Sequence, residues 1–185
     1  ESYYLANRDS NIYMALLSDF KDYHEKDAPN DEDIIKAGVE GVKRLNAKYS
    51  GGANGPFYYF QRHRVLNEKE GCWMGWERKR GKLEEFNRLL AGSGKTSFST
   101  IAGDTSLFSA IKYIITIDAD TELTPGSAKK LIGIMARPLN KPVLNKEKTK
   151  VIDGYAIIQP RVGVRVDLAN ATVFSRIFSG QAGIN

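Results

Sequence analysis

The sequence predicts an α/β fold with a mostly parallel sheet flanked by helices. Three observations predict it. Strand-like and helix-like patterns alternate along the chain. The run Tyr113–Ile117 is short, apolar and β-favouring, as a strand buried on both faces is. That run and an earlier one each stop in a carboxylate, at Asp118 and Asp19, and open α/β sheets meet their ligands at the carboxyl ends of strands.

The elements follow in order. "NIYMALLSDF" reads as a buried strand ending at Asp19. In "PNDEDIIKAGVEGVKRLNAKY", Asn30 or Asp31 offers an N-cap, acids fill the first turn, and Ile35, Val39, Val42, Leu45 and Tyr49 recur at helical spacing. "SGGANG" is a turn, and the aromatic stretch Phe57–Val65 is a strand. Residues 67–81 show little periodicity but hold Trp73 and Trp76. From Lys82, "KLEEFNRLLAG" is a short amphipathic helix with Leu83, Phe86 and Leu90 inward and Gly92 as its stop.

"GSGKTSFST" reads as a loop. Its Gly-Ser-Gly-Lys-Thr resembles the tail of a phosphate-binding loop, but the first glycine of that motif falls on Leu89, inside a helix, so the reading is rejected. After the strand Tyr113–Ile117 comes the helix "PGSAKKLIGIMA", with Thr124 as N-cap, Pro125 at the first helical position and Pro138 beyond its end. A polar hairpin-like excursion, "LNKPVLNKEKTKVIDG", leads to a strand, "YAIIQPRVGVRV". "LANATVFSRIFSGQ" is then a helix capped by Asn170. No internal repeat or linker divides residues 1–185, so one domain is expected.

Composition narrows the function. No run of eighteen apolar residues is present, so no segment reads as a membrane span, and the first residues do not read as a signal peptide. A single cysteine, Cys72, excludes an internal disulfide framework, and two histidines, His24 and His63, argue against a zinc cage. The net charge of +5 is modest and interrupted by acidic runs, which argues against nucleic acid as the partner.

The chemistry concentrates in "ITIDADTELTP". Residues i and i+2 of an extended segment point the same way, so Asp118 and Asp120 are expected to converge on one point. Two close carboxylates stay ionised when a cation lies between them, and hard oxygen ligands suit Mg²⁺ or Mn²⁺ shared with a diphosphate. The bland alternative is a turn whose aspartates cap the next helix; for Asp19 it is an Asx-turn. Two enzyme classes place D-x-D here. Phosphotransferases of the haloacid dehalogenase type would use Asp118 as nucleophile, but their D-x-D-x-T motif meets Glu122 where threonine belongs. Nucleotide-sugar transferases use the pair to hold a metal on the donor's diphosphate, with an earlier strand-end aspartate near the base, and fit better. The non-enzymatic alternative is a basic module that binds nucleic acid or a membrane surface.

"GCWMGWERKRGKLEEFNRLL", "ITIDADTELTPGSAKKLIGIMARPLNKPV", "GYAIIQPRV" and "FSRIFSGQAGIN" closely resemble the transferase region of bacterial cyclic β-1,2-glucan synthases. The resemblance runs from about Tyr4 to the last residue. It implies a GT-A (nucleotide-diphospho-sugar transferase) fold that takes glucose from UDP-glucose onto a growing β-linked glucan. It implies that Asp19 contacts the uridine, that Asp118 and Asp120 bind metal and diphosphate, that Lys82 faces the donor and that Gln159 borders a sugar. It also implies a parent synthase at the cytoplasmic face of the inner membrane.

On the same resemblance the chain is the central part of one glycosyltransferase domain, truncated at both ends. The general base lies downstream, and the chain alone is expected not to catalyse transfer. A missing first strand leaves three outcomes open: a rearranged sheet, a swapped dimer, or direct pairing of the strands ending at Asp19 and Asp118. Arg78, Lys79, Arg80 and Lys82 flank a helix start that favours an anion or is simply solvated. Trp73 and Trp76 suit either core packing or stacking on sugar rings. Cys72 reads as a small buried residue, His63 as a strand-surface residue, and His24 as part of a loop.

Overall fold

The structure is a computed structural model that describes residues 1–50, 55–161 and 172–173. The chain forms two compact units, residues 1–129 and residues 130–185.

The first unit is built around β2 (Phe57–Arg62), every residue of which is buried. Because side chains alternate across a strand, "FYYF" serves two cores at once. Phe57 and Tyr59 point to one face, where Tyr4 and Val42 pack, joined by Val39, Leu45 and Tyr49. These come from α1 (Ser2–Ala6) and α2 (Asp31–Ser50). Tyr58 and Phe60 point to the other face, against Phe86 of α3 (Arg78–Leu90) and Phe98 of β5 (Phe98–Ala102). Phe60 sits edge-on to both Phe86 and Phe98, with ring centroids 5.1 and 5.6 Å away. An aromatic ring buried this deeply contributes about 3–5 kcal/mol when tested by truncation to alanine.

β1 (Met14–Asp19) pairs with β2 in parallel, with α2 as the crossover, and β5 pairs antiparallel on the other side. The described sheet is thus three-stranded and mixed, order β1-β2-β5, where a mostly parallel sheet was expected. The α/β class holds; the sheet is smaller and its directions differ. One cause is β5, which the sequence hides in a loop-like "SFSTIA" and which runs back along β2 after α3.

A second cause is Tyr113–Ile117, which forms no ladder among the described residues and leaves Ile114 half-exposed. β-propensity describes a side chain that fits a pleated surface, but a strand exists only where a neighbouring backbone pairs with it. Likewise Tyr155–Arg161, the described start of the expected strand "YAIIQPRVGVRV", joins no ladder among the described residues; the rest of that strand and most of the expected last helix lie outside them.

Three smaller differences have local reasons. The segment after β2 folds into a hairpin of β3 (Val65–Asn67) and β4 (Cys72–Met74), too short to show a period. α3 begins four residues before Lys82. α4 (Ser127–Ala136) begins after a β-turn in which the Ser127 N–H donates to the Thr124 carbonyl at 3.1 Å. Pro125 and Gly126, with φ of 73° at the glycine, occupy the central positions of that turn instead of the helix start. Asn7 does the capping: its Oδ1 accepts from the Ala128 N–H at 3.0 Å.

In the second unit, β6 (Val143–Leu144) and β7 (Val151–Asp153) form the hairpin that the sequence suggests. Its turn is organised by Asn145, whose Oδ1 accepts from the N–H groups of Thr149 and Lys150 at 2.8 and 3.0 Å.

Candidate functional site

The parallel register of β1 and β2 sets Asp19 opposite Arg62. Arg62 is fully buried, with no solvent exposure. A guanidinium has five N–H donors and never loses its charge, so burial requires partners on nearly every side. They are present. Nε donates to Asp19 Oδ1 at 2.6 Å, Nη1 to the Trp76 carbonyl at 3.0 Å and to Glu85 Oε1 at 3.3 Å, and Nη2 to the Arg78 carbonyl at 2.9 Å. Glu85, on α3, is held in turn by the Ser97 N–H and hydroxyl at 2.8 and 2.6 Å. The other oxygen of Asp19 meets the Lys82 ammonium at 3.2 Å. Asp19 and Lys82 keep 17% and 19% of their side-chain surface exposed, so this end of the network opens to solvent.

Arg62 grips the backbone on both sides of an unusual turn. Glu77 and Arg78 both take left-handed conformations, φ 50° and 45°, which cost a non-glycine residue about 1–2 kcal/mol each. The carbonyls of Trp76 and Arg78 bracket that pair, and both accept from Arg62. Two glycines make room. A Cβ on Gly75 would lie 2.8 Å from Arg62 Nη2 and from Asp19 Oδ1, and one on Gly81 would run into the Trp76 carbonyl.

This turn launches α3 with Arg78, Lys79, Arg80 and Lys82 in quick succession and no acid in the first turn. The helix dipole disfavours cations there. Each is answered by carboxylates: Arg78 by Asp22 and Glu70, Arg80 by Glu77 and Glu84, Lys82 by Asp19 and Lys79 by Asp118. Glu70, and secondarily Asp22, raise the pKa of Arg78 further above its ordinary value.

The structure therefore brings Asp19, Lys82 and Asp118 to the start of one helix. Asp118 and Asp120 are exposed. Ala119 and Asp120 occupy a turn in which the Thr121 N–H donates to the Asp118 carbonyl at 3.1 Å, so the alternation of an extended strand does not govern where the two carboxylates point. The Tyr3 hydroxyl donates to the Thr121 carbonyl at 2.7 Å, tying this turn to α1. Among the described residues no group of three or more His, Cys, Asp or Glu could hold a metal by itself. Gln159 is exposed in an irregular stretch of the second unit. Trp73 exchanges backbone hydrogen bonds with Tyr23, and the exposed Trp76 ring lies beneath Arg80.

Sequence reasoning missed Arg62, Glu85 and the glycines. A charged residue in a strand ordinarily reads as solvent-facing. The signal available was register: two parallel strands ending at Asp19 and Arg62 put an acid beside a base.

No family model matches the chain. The cyclic β-(1,2)-glucan synthase NdvB of Rhizobium meliloti is 40% identical over 186 residues, an alignment that covers all of this chain and 6% of that protein. The chain thus spans a small part of the length of the relative it matches. As its motifs imply, it is similar from end to end to a segment of a cyclic β-(1,2)-glucan synthase.

Proposed function

We propose that this chain is the donor-binding part of a glucosyltransferase domain that moves glucose from UDP-glucose to a growing β-1,2-glucan. The observation that carries the reading is that Asp19 and Asp118, far apart in sequence, both meet the cationic first turn of α3. Four cations at a helix N-terminus are unfavourable for the helix alone, and a diphosphate would join the carboxylates that already offset them, through charge-assisted hydrogen bonds. Asp19 would then take the uridine side of the donor, with Lys82 beside it, and Gln159 a sugar.

The carboxylates of Asp118 and Asp120 are exposed oxygen donors, suited to a hard divalent ion that completes its shell with diphosphate and water. Lys79 already places a cation against Asp118, so the position accepts positive charge. Mg²⁺ or Mn²⁺ there would stabilise the charge that develops on departing UDP. The wider reading is of a parent synthase at the cytoplasmic face of the inner membrane; no described helix of this chain is long and apolar enough to cross a membrane.

Calorimetry with UDP and Mn²⁺ tests the proposal. UDP binding should depend on the metal, and Asp120→Ala should weaken it about tenfold or more, equivalent to about 1.4 kcal/mol. Binding that ignores both the metal and the substitution, or no binding at all, overturns the reading.

A further inference from the structure

We propose that Arg62 is a positioning residue for the nucleotide diphosphate donor, acting through Asp19; this rests on the function proposed above. Arg62 reaches no solvent, so it does not itself touch a ligand. What it fixes is the acid that does. By engaging Asp19 Oδ1 at 2.6 Å it commits one carboxylate oxygen to the buried guanidinium and leaves Oδ2 to the Lys82 ammonium at 3.2 Å. Through the carbonyls of Trp76 and Arg78 the same guanidinium clamps the left-handed turn that delivers Lys79 and Lys82. Acid and cationic turn are thereby held in one register by a single planar group.

No other side chain type can make these contacts together. Lysine offers a point charge with rotatable donors, enough for Asp19 but not for Asp19, two carbonyls and Glu85 at fixed angles. Glu85 adds to this: anchored by Ser97, it accepts from Nη1 and gives the buried guanidinium a second carboxylate besides Asp19. A network that served stability alone would be as well replaced by apolar side chains of equal volume. Here it ends at an acid and an ammonium that each keep under a fifth of their surface exposed, where a ligand can read its geometry.

The test is a double-mutant cycle on the whole chain, read by calorimetric UDP affinity in Mn²⁺, with urea unfolding to confirm that each variant is native. Arg62→Lys should weaken UDP by about tenfold, and most of that loss should vanish in an Asp19→Asn background, because both changes act on one unit. A structural role alone would give losses that multiply independently, and that result overturns the proposal, as does an Arg62→Lys chain that binds UDP normally. If Arg62→Lys does not fold, Gly75→Ala replaces it: its Cβ enters between Arg62 and Asp19 and should give the same coupled loss, while unchanged affinity overturns the proposal. A wild-type chain that binds no UDP removes the function reading as well, whereas normal wild-type binding with an uncoupled cycle removes only the role of Arg62.

Discussion

Asp31 stands in the first turn of α2, where a helix dipole already favours a carboxylate, yet its larger task is to pair with Arg64. Arg64 is 4% exposed, donates to the carbonyls of Lys21 and Lys26 at 2.8 and 3.1 Å, and lies over the Phe20 ring. The Arg64 guanidinium, helped by the Ala28 N–H, holds the Asp31 carboxyl below the usual aspartate range. A depressed folded pKa stabilises the native state above the unfolded value and loses that contribution as pH falls through the folded one. The stability of the wild type should therefore decline on acidification below about pH 4 more steeply than that of Asp31→Asn, as urea midpoints across that range would show. At neutral pH Asp31→Asn leaves Arg64 buried without its counter-charge and should cost about 2–3 kcal/mol. The opposite case is Tyr58, whose buried hydroxyl has no hydrogen-bond partner among the described residues. Tyr58→Phe removes an unsatisfied group while keeping the ring packed, and should leave stability unchanged or raise it by about 1 kcal/mol in thermal unfolding.

At the scale of elements, the same substitution should act in opposite directions on two helices. Glycine to alanine in a helix interior gains about 1 kcal/mol by propensity. In α2 a Cβ on Gly41 meets nothing within 4 Å, so Gly41→Ala should deliver most of that gain. In α3 a Cβ on Gly81 collides with the Trp76 carbonyl, which Arg62 holds in place. Overpacking of about 1–3 kcal/mol then outweighs propensity, and Gly81→Ala should lower the urea midpoint. The sequence made α2 legible because its apolar spacing is regular, and β1 and β2 because their runs are long. It did not reveal β5, whose serine and threonine resemble a loop, or the β3–β4 hairpin, which is too short to carry a period. For Tyr113–Ile117 composition misled, since apolar β-branched residues state a preference that only a paired neighbour can realise. Nor does any local pattern show that Asn46 joins α2 to β2, accepting from the Phe57 N–H at 2.9 Å and donating to its carbonyl at 3.0 Å.

For the whole molecule, the distribution of cores decides which residues must be kept together. Both hydrophobic clusters draw on residues from Tyr4 to Phe108, and the Arg62 network lies between β1 and α3 within the same span. α4 is tied to this unit at its start, through Asn7 on the Ala128 N–H and Asp9 on Lys129 at 2.9 Å. Among the described residues, nothing in the two clusters comes from after α4. A chain ending at Ala136 should therefore unfold in one cooperative transition with a midpoint close to that of the full chain, by circular dichroism in urea. It also retains Asp19, Lys82, Asp118 and Asp120 while lacking Gln159. If Gln159 borders the sugar and the aspartates serve the nucleotide and its metal, the shortened chain should bind UDP with Mn²⁺ as the full chain does. It should, however, lose whatever extra affinity the full chain shows for UDP-glucose over UDP. Parallel titrations of both ligands against both chains make that comparison. A shortened chain that folds yet loses UDP itself would place a nucleotide contact beyond α4 and count against Asp19 and Lys82 as the residues that hold it.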